Sequence, residues 1–387
     1  MISEPRRAAS PDSTSREVVE FDRLELVEAR VPQVESFRSA IGSRVERQVL
    51  YVRWKCPDGS WGIGECSCRP DPFYSAEFNS GVVELLRSQV VPRVESEGTL
   101  GDLRKLLDRI RGWPFARAAV LDAALDLVRR RGGSDYMDAV PVQTRDVPAG
   151  VSLGLFETAD AAVERVGRSR DAGYRRVKMK VRPDMDLEPL RAVRATYPDA
   201  VLAFDANGSC EASDIPGFVR ALADLAPVMV EQPFPASRLD WCVEAKDHCP
   251  GLRICLDESI EDVGNLEVAL QLGAIDELNV KPGRVGGQAA ALELVERCEK
   301  ADLPAWVGGM FETGVGRAAN LRVAARVRGA VAHDLSPSRR YFATDVVRDP
   351  LEMRADGTIE LGDERPVDLD EETLDRLTGQ RWELANR

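Results

Sequence analysis

Residues 175–181 read Arg-Arg-Val-Lys-Met-Lys-Val, and comparable short segments return at a spacing of roughly 25 residues, the period of strand-helix units in a parallel barrel. The returns are Phe204-Asp205-Ala206-Asn207, Val230-Glu231-Gln232-Pro233, Cys255-Leu256-Asp257-Glu258-Ser259, Asn279-Val280-Lys281-Pro282-Gly283 and Val307-Gly308-Gly309-Met310. In order they carry lysine, three carboxylates, lysine and a glycine pair. Strands are expected at 148–155, 175–181, 201–206, 228–232, 253–257, 277–281, 304–308 and 331–335, alternating with amphipathic helices. Thr158 can cap the first helix and Gly173 close it, Ser213-Asp214 opens a later one, and Gly273 ends another. This pattern predicts an α/β fold, a (β/α)7β TIM-like barrel. A doubly wound sheet is the alternative, but no Gly-x-Gly-x-x-Gly turn follows an early strand.

Working outward, the 387-residue chain exceeds the roughly 250 residues of such a barrel, which leaves room for a second module. Residues 21–140 read as an α+β capping domain. Val49-Leu50-Tyr51-Val52 and Trp61-Gly62-Ile63 flank the turn Pro57-Asp58-Gly59-Ser60, and helical spacing of apolar residues follows from Ser75 to Arg131. The barrel occupies 147–340, and 341–387 is expected to return to the capping domain. Residues 1–20 are rich in Ser, Pro and Arg and read as a disordered tail. They lack an apolar run, so no export signal is expected even with Arg6-Arg7, and a cytoplasmic location follows. The net charge of −13 argues against a nucleic-acid partner. No stretch reaches transmembrane length, so no membrane partner is expected. Eight cysteines without zinc-finger spacing read as reduced core or surface thiols.

In a parallel barrel alternate strand residues face inward, and functional groups gather at the strands' carboxyl ends. Lys178 and Lys180 therefore share a face, as do Asp205 and Asn207. Three carboxylates on neighbouring strands repel one another unless a cation lies among them. All-oxygen ligation with no nearby His or Cys selects a hard ion, most simply Mg2+ with Mn2+ as its substitute, held by Asp205, Glu231 and Asp257. Separate surface ion pairs would not explain their register at successive strand ends. Lys180 and Lys281 flank the metal from the second and sixth strands. Lysine becomes a usable base when neighbouring cations lower its pKa from about 10.4, and the metal, Lys178 and Arg284 are the expected neighbours. Metal coordination of a substrate carboxylate would stabilise the enediolate left by loss of the α-proton. A salt bridge to a metal-ligating acid is the structural alternative for Lys281. Gly308-Gly309 either admits backbone close to a ligand or turns the strand into a helix. His248 and His333 fall outside this series; His333 lies near the eighth strand end.

These residues, together with Pro72-Phe73-Tyr74-Ser75, Gly150-Val151-Ser152-Leu153-Gly154, Lys281-Pro282-Gly283-Arg284-Val285-Gly286-Gly287 and Gly308-Gly309-Met310-Phe311-Glu312-Thr313-Gly314, give a marked resemblance. The chain resembles the enolase superfamily, in the muconate-lactonizing-enzyme subgroup, and within it the o-succinylbenzoate synthase and N-succinylamino acid racemase family. The likeness runs from about Leu24 to about Asp349. It implies Asp205, Glu231 and Asp257 as Mg2+ ligands and Lys180 and Lys281 as the acid/base pair, in keeping with the metal and lysine chemistry of that superfamily. It also implies a substrate pocket lined by Ser152, Lys178, Asn207, Gly309 and Met310 and closed by Phe37 and Tyr74. Two departures stand out: Ala332-His333-Asp334 in place of Pro-Gly-Asp, which puts a ring near the pocket rim, and Asp363-Glu364-Arg365-Pro366 in place of Pro-Gly-Leu-Gly.

The resemblance implies proton abstraction α to a carboxylate, racemising a small N-acylamino acid substrate. The alternatives are o-succinylbenzoate synthase, a muconate cycloisomerase-like enzyme, and a non-catalytic barrel that binds its ligand. A sugar-acid dehydratase would need a His-Asp pair on the late strands, and no His stands at the sixth or seventh strand end. Barrels of this family tend to associate, so a homo-oligomer is expected.

Overall fold

The computed structural model describes residues 17–39 and 42–386, apart from the side chains of 35–39 and 42–44. The N-terminal part forms β1 (Val18–Glu20), β2 (Arg23–Ser39), β3 (Gly42–Lys55), β4 (Trp61–Cys66) and β5 (Glu97–Thr99). Val18–Glu20, assigned to the tail from sequence, instead pairs with β5. Strands β2, β3 and β4 form an antiparallel sheet, and the hairpin at Pro57-Asp58-Gly59-Ser60 joins the last two.

Strand alternation buries both faces of this sheet, because successive side chains point to opposite sides. Leu24, Leu26, Leu50, Val52 and Trp54 pack on the helices Leu100–Asp108 and Pro114–Arg130. Val27, Ala29, Val31, Val49 and Tyr51 pack on Phe342, Val346, Leu369 and Leu374 from the C-terminal segment.

The second half lays down β6 (Asp146–Pro148), then β7 (Gly150–Leu153), β8 (Arg176–Lys180), β9 (Leu202–Asp205), β10 (Val230–Glu231), β11 (Ile254–Leu256), β12 (Glu277–Val280) and β13 (Ala305–Val307). Strands β7 to β13 pair in parallel, in chain order, as one seven-stranded sheet, so the fold is an α/β TIM-like one. Among the described residues no helix is long and apolar enough to cross a membrane.

The expected eighth strand, 331–335, contributes only a bridge of His333 to Ala149. Backbone bonds still tie it to both sides: His333 donates to the Pro148 carbonyl, Gly150 donates to the His333 carbonyl at 2.6 Å, and Asp334 donates to the Val307 carbonyl at 2.9 Å. One ladder position is filled by a side chain, since the Val307 N–H donates to His333 Nδ1 at 2.9 Å.

Helix punctuation follows local chemistry. The Thr158 side chain accepts from the Ala161 N–H at the start of the helix Ala159–Asp171, and Gly273 ends Val263–Leu272 at φ +69°. Near Ser213-Asp214, however, the chain enters a 3-10 turn and then a π turn over Ile215–Val219, the stretch that contains Pro216 and Gly217. After the barrel, β14 (Thr358–Glu360) pairs with β6, and β15 (Thr378–Ala385) joins the N-terminal sheet beside β2. All eight cysteines are free and buried, so the surface part of the thiol expectation does not hold.

Candidate active site

Strand register brings the charged residues to one level. Lys180 pairs across to Asp205, Asp205 to Glu231, and Glu231 to Cys255, two residues before Asp257. Beneath them Ala203, Met229, Cys255 and Trp306 fill the barrel interior, and the Arg176 guanidinium lies 4.0 Å from the Trp306 ring centroid. Above them is a cavity of about 150 Å³. Of the residues named from sequence, Ser152, Lys178, Lys180, Asp205, Asn207, Lys281, Gly309, Met310 and Tyr74 line it. Glu231 and Asp257 lie behind the lining, both 0% exposed. The Phe37 backbone lies in β2, and its side chain falls outside the described residues.

Each acid is engaged by protein cations. Lys178 Nζ lies 2.6 Å from Glu231, 2.7 Å from Asp334 and 3.3 Å from Asp205. Lys180 Nζ donates to Asp205 Oδ2 at 2.6 Å and to Asn207 Oδ1 at 2.5 Å. Lys281 and Arg284 take the two oxygens of Asp257, each at 2.7 Å. The charge compensation that the sequence argument assigned to a metal is therefore supplied in part by these four side chains. Among the described residues no three His, Cys, Asp or Glu side chains are arranged to hold an ion.

The electrostatics follow. Burial works against ionised Asp205, yet the charges of Lys180 and Lys178 hold its carboxyl well below the usual range. Asp257 is likewise lowered, Lys281 and Arg284 outweighing burial. Glu231 goes the other way: burial and then the Asp205 charge push it up to about 8 despite Lys178. For Lys281 burial favours the neutral amine, but Asp257, Tyr74 and Glu258 outweigh it and hold the ammonium well above its ordinary value. Of the cations expected to lower Lys281, Arg284 does so, but these acids outweigh it.

The glycine pair proves to make room for protein atoms. A Cβ on Gly308 would lie 2.3 Å from Asn279 Oδ1, and one on Gly309 would lie 2.8 Å from Glu312 Oε2. Asn279 in turn donates to Glu231 Oε1 at 2.9 Å. His333 is not on the pocket rim. It is 1% exposed in the closing seam, where burial and Arg176 push its pKa down to about 3 and keep the ring neutral.

Asp334 lines the cavity beside Lys178 and was not recognised, because the eighth segment has no strand alternation to place it. Arg47, Glu312, Arg317 and Tyr341 also line the cavity and were missed. For Arg47 a signal existed: it shares strand parity with Val49 and Tyr51, so a cation sits on a buried face.

Fold and site together define a parallel-barrel enzyme of the acid-base kind, with lysines and carboxylates at successive strand ends. The chain belongs to the enolase superfamily: the enolase C-terminal domain-like family model matches residues 161–366. It is 35% identical to an N-succinylamino acid racemase from Amycolatopsis sp over 84% of this chain and 88% of the relative. It is 30% identical to an o-succinylbenzoate synthase from Listeria innocua over 86% and 89% of the two chains. A solved enolase-superfamily structure from Listeria innocua matches with a TM-score of 0.87 at 29% identity, covering 95% of this chain and 99% of that one.

Proposed function

We propose that this chain abstracts the proton α to the carboxylate of an N-acylated amino acid and returns one to the opposite face, as an N-succinylamino acid racemase does. The observation that carries this reading is that Lys180 and Lys281 both line one cavity while standing on β8 and just past β12, with β9, β10 and β11 between them in the sheet. Two lysine side chains so separated can serve opposite faces of a planar centre, one as the neutral amine that takes the α-proton and the other as the ammonium that returns one. Each is held by a different acid, Asp205 or Asp257, which fixes its direction and keeps the two protons distinct. Asn207 orients Lys180 from its other side, and the Tyr74 hydroxyl lies 3.3 Å from Lys281 Nζ.

Asp205, Glu231 and Asp257 are each turned to a protein cation, yet all three offer only oxygen, which is the donor chemistry of a hard divalent cation. Burial and the Asp205 charge push the Glu231 carboxyl up, and Glu258 Oε2 beside them is buried without a hydrogen-bond partner. Mg2+ held there would neutralise charge developing on the substrate carboxylate. The N-terminal sheet and the Tyr74 loop serve as the cap that excludes water from the cavity.

The o-succinylbenzoate synthase reading stands second, favoured by the relatives of that name from Listeria innocua and Bacillus subtilis. Incubation in D2O with each enantiomer of N-succinylphenylalanine tests the first reading. Lys180→Ala should abolish α-hydrogen exchange from one enantiomer and Lys281→Ala from the other, and EDTA should abolish both. Undiminished exchange in Lys180→Ala would sink its role, and full rates after chelation would sink the metal. Dehydration of the cyclohexadiene precursor of o-succinylbenzoate, followed by ultraviolet absorbance, decides between the two reactions.

A further inference from the structure

On the cap side of the cavity stands an arginine that the proton-transfer chemistry does not use. Arg47, on β3, lines the cavity and is 7% exposed. Among the described residues its guanidinium donates only to backbone carbonyls, those of Ser67 at 2.6 Å and Cys68 at 3.0 Å, and its Nε is buried without a partner. Among the described residues no carboxylate pairs with it. By contrast, Lys178, Lys180 and Lys281 on the cavity floor each have an acid within 2.7 Å.

A buried guanidinium satisfied only by neutral carbonyls retains a net charge at high cost, and an anionic ligand is the direct remedy. The same wall carries Gln33, whose Oε1 is buried with no hydrogen-bond partner and can accept from an N–H. The wall thus offers a cation and a spare acceptor, whereas the floor offers paired charges.

We infer that Arg47 is the specificity determinant for a second anionic group on the substrate, the terminal carboxylate of a dicarboxylic N-acyl chain. This rests on the N-succinylamino acid reading above and deepens it by naming the side chain that would read the distal carboxylate. The reacting carboxylate belongs to the floor and the distal one to the wall that carries Arg47 and Gln33, so proton transfer and acyl-chain recognition fall to opposite sides of one cavity. Charge-assisted bonds to a buried guanidinium discriminate strongly against a neutral isostere.

The test is isothermal titration of the Mg2+-loaded protein with N-succinylphenylalanine and with its succinamoyl analogue, in which an amide replaces only the distal carboxylate. Wild type should bind the dianion about 10- to 100-fold more tightly. Arg47→Met should erase that ratio while leaving affinity for the succinamoyl compound unchanged, and Arg47→Lys should restore part of it. A wild-type ratio near one, or an Arg47→Met variant that weakens both ligands equally, overturns the inference. Should Arg47→Met fail to fold, the wild-type ratio and Arg47→Lys still decide it. Because affinity and exchange are read separately, a preserved ratio with no D2O exchange would count against the reaction and for Arg47. Exchange with both ligands at equal affinity would do the reverse.

Discussion

Glu65 of the N-terminal sheet accepts from both donors of Thr313, the backbone N–H at 3.1 Å and the hydroxyl at 2.7 Å, and also from the Gly316 N–H at 2.9 Å. Thr313 precedes the helix Gly314–Ala324 and ends the loop whose Gly309, Met310, Phe311 and Glu312 line the cavity. One carboxyl of the N-terminal sheet therefore pins the wall contributed by the seventh strand of the parallel sheet, and it also meets donors at a helix N-terminus that would otherwise be unpaired.

Glu65→Ala should accordingly cost about 1–3 kcal/mol, the penalty for leaving buried donors unsatisfied. It should raise KM more than it lowers kcat, since it loosens a wall rather than removing a reacting group. Urea denaturation and steady-state kinetics measure both, and an unchanged midpoint with unchanged KM would show that the wall stands without Glu65.

Gly308→Ala places a methyl group where Asn279 Oδ1 now lies, and Asn279 must swing away from Glu231. Overpacking of this kind costs about 1–3 kcal/mol. Adding Asn279→Ala should relieve the clash, so the double variant is expected to be more stable than the sum of the two single effects. Simple additivity in thermal or urea unfolding would contradict the contact.

His333 gives the stability a pH dependence of known sign. Its folded pKa is pushed down to about 3 from an ordinary value of 6.5, so the native state binds fewer protons than the unfolded chain between those values. The stability it contributes is present above pH 6.5 and is lost as pH falls towards 3. Relative to His333→Gln, wild type should lose about 2 kcal/mol between pH 6.5 and pH 5. A constant difference in unfolding free energy across that range would refute the neutral buried ring.

How far the site was legible depends on where each residue's constraint arises. Lys180, Asp205, Glu231, Asp257 and Lys281 stand at strand ends in a repeat, and period and side-chain parity place them without any knowledge of contacts. Asp334 was given no role and His333 was put near the pocket rim rather than in the seam, because the eighth segment is tied in through a few backbone bonds and one imidazole rather than through an alternating strand. Gly308 and Gly309 were ambiguous because a missing Cβ does not say which atom takes its space.

The sequence by itself determined the barrel repeat, the α/β class and the gathering of acids and lysines at one end, because these follow from local periodicity and from the direction in which strand side chains point. Only the tertiary structure decided which cation neutralises which acid: Lys178 with Glu231 and Asp334, Lys180 with Asp205, and Lys281 with Arg284 on Asp257. It also decided that Arg47, in the cap, shares the cavity with them. Coulomb interactions and burial depend on separations of a few ångströms between residues far apart in the chain, and those separations exist only once the parallel sheet and the N-terminal sheet have packed together.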